Sequence, residues 1–151
     1  MKPLLSTLLT ALILNACQPN SKNQPPKQSY TEEEKTTITT ENNPAVKIVD
    51  QQLAAYNARD IDAFVATYND SVEIYSPDGQ LLMKGHTQLR NGYVDFFANT
   101  PALHCEILNR MTINNTVIDK EEVTINDTTT IYGVAIYKVK DDKIQSVSFV
   151  D

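Results

Sequence analysis

From Leu103 to Val150, strand-like runs follow one another with little more than paired Asn or Asp residues between them. The runs are Leu103–Ile113, Val117–Ile125, Thr129–Lys140 and Lys143–Val150, broken at Asn114-Asn115, Asn126-Asp127 and Asp141-Asp142. All are rich in β-branched and aromatic residues, which suit a pleated surface, while Asn and Asp tolerate the backbone of tight turns. Connections this short join antiparallel neighbours, because a parallel pair needs a crossover of a dozen or more residues. This stretch is therefore committed to a meandering sheet, and what precedes it must cover one face.

The preceding residues can do so. Asn43-Pro44 is a cap followed by a proline that cannot donate in a helical first turn, and Val46, Val49, Leu53 and Tyr56 then recur at helical spacing. Asp60 can cap a second helix, with Ile61, Phe64, Val65 and Tyr68 on one face. The period then changes. Val72 and Ile74 alternate with Glu73 and Tyr75, Ser76-Pro77-Asp78-Gly79 makes a turn, and Gln80–Lys84 returns as a short strand. Leu89, Tyr93, Phe96 and Phe97 define a third helix from near Thr87, weakened at Gly92 by about 1 kcal/mol relative to alanine. The order ααββαββββ over residues 44–151 predicts an α+β domain, a mostly antiparallel sheet with helices packed on one face.

The N-terminus reads differently. After Lys2, an apolar run from Leu4 to Leu14 closes on Leu14-Asn15-Ala16-Cys17, which resembles a bacterial lipobox. The run is shorter than the roughly 20 apolar residues needed to span a bilayer. Residues 1–16 are expected to be a signal peptide and Cys17 the lipidated residue, which makes this an exported lipoprotein of the cell envelope. If the host is Gram-negative, Gln18 resembles outer-membrane sorting. Two or more acyl chains give stable anchoring, so the membrane is a partner through the lipid alone. Removing residues 1–16 takes away Lys2 and no acid, so the formal charge of −6 becomes one unit more negative. That charge argues against nucleic acid as a partner. Residues 17–43 hold three prolines, the run Glu32-Glu33-Glu34 and a single aliphatic side chain, Ile38. They read as a disordered tether with a reach of about 25–30 Å. Cys105, without a partner once Cys17 is acylated, reads as a buried structural thiol.

Further along, Tyr56-Asn57-Ala58-Arg59-Asp60, Tyr68-Asn69-Asp70 with Val72-Glu73, Pro77-Asp78-Gly79 with Gly85, and Ala135-Ile136-Tyr137 before Asp141-Asp142-Lys143-Ile144 form a pattern. From about Val46 to Val150 it resembles the SnoaL-like branch of the nuclear transport factor 2-like superfamily. That resemblance implies a cone-shaped domain, its curved sheet wrapped around three helices, with an apolar cavity at the open end and homodimers through the sheet. The same fold serves isomerases, dehydratases, cyclases, hydrolases and binding modules, so it does not fix an activity. Ketosteroid isomerases of this superfamily use an Asp base with a Tyr and a protonated Asp holding the oxyanion. Laid on this chain, those positions fall on Tyr75, Gln52 and Ala135, and all three depart. Tyr56, one turn beyond Gln52, and Asp78 are the possible substitutes.

The remaining candidates rest on pattern. Asp119 and Glu121 share a strand face with Val117 and Val123, and an acid on an apolar face has its pKa raised by desolvation. Either is a potential base, unless Asn109 or Arg110 on the neighbouring strand turns towards it and makes a structural pair. A catalytic set of Asp119, Tyr75 and Asp78 follows, with Tyr56, Tyr75, Phe97, Asn109, Asp119 and Tyr137 as ligand-binding residues. His86 reads as a cap for the third helix and His104 as a solvent-face residue. With two histidines and no ligand-spaced cluster, neither metal nor cofactor is expected. Three functions stay open: a cavity that binds a small, largely apolar molecule without turnover, an acid–base isomerase or lyase, and a dimerising interaction module with a filled cavity.

Overall fold

The computed structural model describes residues 42–150. The expected signal peptide, the lipidation of Cys17 and the tether up to residue 41 lie outside the described residues. Among the described residues no helix is long and apolar enough to cross a membrane.

Helix α1, Pro44–Ala58, starts where the cap-then-proline pair places it: the Asn43 side chain accepts from the Ala45 N–H at 2.9 Å. It ends at Arg59, whose left-handed backbone (φ 57°) lets its N–H close on the last helical carbonyls. Ala45, Val46, Ile48, Val49, Gln52 and Ala55 form its buried face. Asp60 caps α2, Ile61–Ala66, by accepting from the Asp62 and Ala63 N–H groups. Here one expectation is corrected. Tyr68 belongs not to α2 but to strand β1, Tyr68–Tyr75, because Thr67 closes the helix on the Phe64 carbonyl and gives its own carbonyl to the Ile144 N–H. Helical and strand periods both turn residue 68 inward, so its burial (3% exposed) was legible and its element was not.

Strand β2, Leu81–Lys84, pairs antiparallel with β1 and runs into α3, Gly85–Asn99. The helix begins two residues before Thr87, and His86 does not cap it. Gln88 Oε1 accepts from the Lys84 N–H at 2.7 Å, while His86 Nε2 lies 3.0 Å from the Tyr68 carbonyl and ties α3 to β1. Gly85 has φ 74°, and a Cβ there would stand 3.0 Å from the Asp70 carbonyl oxygen. Gly85→Ala is expected to cost about 1–3 kcal/mol in urea unfolding, for backbone strain alone and for that contact in addition. Gly79→Ala, at φ 80° with open space around it, should cost less.

The meander follows as β3 (His104–Ile113), β4 (Thr116–Asn126), β5 (Thr129–Lys140) and β6 (Lys143–Val150). The six strands lie in the order β2-β1-β6-β5-β4-β3, all neighbours antiparallel except β1 and β6. Asp141 and Asp142 both adopt positive φ, as a tight two-residue hairpin turn requires. Irregularities of register in several of the pairings give the local bends and added twist that such features produce. The α+β architecture of three helices and a mostly antiparallel sheet is thus as expected. The core lies between them, centred on Phe64, Leu89, Val72, Ile74, Val117, Ala135, Ile144 and Val147. His104 is exposed on β3, and Cys105 beside it is buried at 4%.

Candidate functional site

Between α1 and the inner face of the sheet lies a cavity of about 100 Å³. Helix α1 contributes Gln52, Leu53 and Tyr56, α3 contributes Tyr93, and β1 contributes Tyr68 and Ile74. The meander supplies Cys105, Glu121, Val123, Tyr137, Val147 and Phe149. The wall is apolar in bulk, yet four phenols, an amide and a single carboxyl border it.

That carboxyl is Glu121. Tyr137 donates to its Oε1 at 2.8 Å, and no donor reaches Oε2 among the described residues. Burial is the largest influence on Glu121 and raises its pKa from 4.5 to about 7; the Tyr137 hydrogen bond and Arg110 oppose that rise, and Asp119 adds to it. Burial beside this carboxyl also pushes Tyr93 and the Cys105 thiol up to about 12 and raises Tyr56, Tyr68 and Tyr137 further. The phenols and the thiol thus stay protonated at neutral pH, and they serve as hydrogen-bond donors rather than bases.

The raised pKa is also a stability statement. Between about pH 4.5 and 7 the folded state holds a proton that the unfolded chain has lost, so stability falls as pH rises through this window. Glu121→Gln removes the charge without removing the shape. It is expected to stabilise the domain by about 3 kcal/mol at pH 8 and to change little at pH 4, as followed by thermal unfolding.

Of the residues singled out from sequence, Tyr56 and Tyr137 lie in this wall. Phe97 lies behind it, 5.5 Å ring to ring from Tyr56 and 5.6 Å from Tyr93, and holds those rings in place. Asp119 faces inward but is not free: Arg110 donates Nε to Oδ1 at 2.6 Å and Nη2 to Oδ2 at 2.7 Å, and a third Arg110 nitrogen reaches Asp50. It is a paired structural carboxylate rather than a base with open oxygens. Three further placements are corrected. Tyr75 is on the outer face of β1, where its hydroxyl donates to Glu73 at 2.6 Å, and Lys84 holds Glu73 from the other side. Asp78 is exposed in the β1–β2 turn, accepting from Ser76 and Gln80. Asn109 is exposed because a bulge between Ile107 and Asn109 shifts the register by one residue, and Arg110 takes the inward position instead.

The catalytic set drawn from sequence is therefore not assembled: Asp119, Tyr75 and Asp78 stand in three different places. What the structure brings together instead is Glu121 with Tyr56, Tyr68, Tyr93 and Tyr137. The alternation of β4 marks Glu121 as inward, but the pairing of β4 with β5 sets it opposite Gly133, and it is the reach of the Tyr137 side chain from four residues along β5 that brings a hydroxyl to it. Among the described residues no three His, Cys, Asp or Glu side chains come together as metal ligands.

Comparison with known proteins bears on the fold. No curated protein matches the chain. A protein of cystatin fold from Novosphingobium aromaticivorans, described as uncharacterized, superposes with a TM-score of 0.65 at 27% identity over 72% of this chain and 98% of its own. A putative ketosteroid isomerase from Kribbella flavida gives 0.59 at 16% identity, over 71% and 76%. An epoxide hydrolase of M. tuberculosis described as LEH-like gives 0.59 at 13%, over 71% and 81%. At the last two identities the likeness is one of fold. The model of the SnoaL-like domain matches residues 49–147, most of the folded region and well over half of the sequence. The chain belongs to the SnoaL-like domain family.

Proposed function

We propose that this domain holds a small, largely apolar molecule in its cavity without transforming it, and that it does so at the cell envelope on a lipid anchor at Cys17. The supporting observation is the wall itself, in which apolar side chains and protonated phenols surround one carboxyl that has an oxygen to spare. At about 100 Å³ the space is below the range of ~300–1,000 Å³ usual for drug-sized ligands, so it suits a small molecule or the end of a longer one. Binding without turnover follows from the lack of a matched partner: the phenols and the thiol are all raised, which leaves Glu121 no strong acid to work with. One observation favours an acid–base isomerase or lyase as a second reading, because a carboxyl titrating near 7 in a largely buried site is suited to a general base.

The outer face of the sheet supports a homodimer. Register places Met111, Ile118, Ile136, Ser148, Tyr75 and Leu81 opposite one another in a single row across all six strands. Met111 and Leu81 at its ends are exposed at 55% and 49%.

Native mass spectra of the full-length protein, released gently from its own membranes, test the binding reading. A stoichiometric small molecule of one composition is expected. Protein that carries nothing overturns the proposal, and recovery of two isomers of equal mass, reduced to one by Glu121→Gln, favours the acid–base reading.

A further inference from the structure

Among the described residues the wall of the cavity carries no Lys, Arg or His. Arg110, the guanidinium whose charge is felt at Glu121, is spent on Asp119 and Asp50. Against this stand the Glu121 carboxyl, with Oε2 unclaimed, and the rings of Tyr56, Tyr68, Tyr93, Tyr137 and Phe149. Aromatic faces are negative and attract cations, more strongly once water is excluded. An anion would meet an acid and the aromatic wall, with neutral phenol and thiol hydrogens but no cation to balance its charge. A neutral molecule would gain only neutral hydrogen bonds, whereas an ammonium group would gain a charge-assisted hydrogen bond to Glu121 together with the rings.

We infer that the cavity selects a small amine, its ammonium on Glu121 Oε2 and its apolar body against Val123, Val147 and Phe149. This rests on the cavity being a small-molecule site. The complex needs Glu121 ionised, so binding expels the proton that the empty site holds below neutral pH, and affinity rises with pH. The groups that face Glu121 from other elements do not compete. Tyr56 on α1, Tyr68 on β1, Tyr93 on α3, Cys105 on β3 and Tyr137 on β5 are all raised and keep their protons. Asp119 is held in the Arg110 fork.

The test compares n-propylammonium, n-propanol and propionate, matched in shape and differing in charge, by NMR titration of cavity-wall methyl and aromatic signals. Propylammonium is expected to bind most tightly and propionate least, with propylammonium about tenfold weaker at pH 6 than at pH 8, the change in ionised fraction of a group titrating near 7. Glu121→Gln should abolish the preference for the ammonium, and Tyr137→Phe, which keeps the carboxyl, should retain it. Propanol binding as tightly as propylammonium at pH 8 overturns the amine inference and leaves the cavity reading standing. If none of the three moves the wall signals, both are overturned.

Discussion

Arg110→Ala is expected to destabilise the domain by about 3–5 kcal/mol, because it leaves a buried carboxylate without its partner. Asp119 is 0% exposed, and both of its oxygens take their hydrogen bonds from Arg110. The cost belongs to the stranded charge rather than to the pair, which predicts a second result. The double variant Arg110→Ala with Asp119→Val removes the charge along with its partner and should be less damaging than the single change. Urea unfolding of the two variants beside wild type checks both statements. A double variant at least as unstable as the single one would show that the pair contributes in its own right.

Phe64→Ala should cost a similar amount, about 3–5 kcal/mol, through a cavity in the middle of the aromatic cluster. Phe64 is fully buried, with ring centroids 4.7 Å from Tyr93, 5.1 Å from Tyr68, 5.4 Å from Phe97 and 6.1 Å from Tyr56. Three of those neighbours are walls of the candidate site, so the ring braces the site as well as filling the core. Phe64→Leu, which leaves a smaller void, should cost less. Calorimetric unfolding reads both, and near-ultraviolet circular dichroism of the tyrosines reports whether the wall has loosened before the fold is lost.

The parts of this molecule that local chemistry dictates were legible in the sequence. Asn43-Pro44 begins α1, Asp60 caps α2, and the Asn and Asp pairs fall at the hairpins of the meander. The limits of the reading are also physical. Tyr68 fits a helix face and a strand face equally well, and only the Ile144 hydrogen bond to Thr67 decides between them. The exchange of Asn109 for Arg110 turns on a bulge that no residue type announces, and it decides that Arg110 is the partner that makes Asp119 a structural pair. The family pattern sets Tyr75 at a site position, although its alternation with Ile74 puts it on the opposite face from the core. Glu121 was visible as an acid on an apolar face, but its importance depends on Tyr137, a residue of another strand.

The titration of the Glu121 carboxyl tests the site most directly, because a ligand-free cavity with a largely buried, singly bonded carboxyl has to hold its proton unusually tightly. The ¹³C shift of the Glu121 side-chain carboxyl, followed from about pH 3 to 9 in the folded protein, should turn over near 7. It should move to lower pH when propylammonium is added. A midpoint at the ordinary glutamate value of about 4.3, unmoved by the amine, would mean a solvated surface acid and contradict the cavity site.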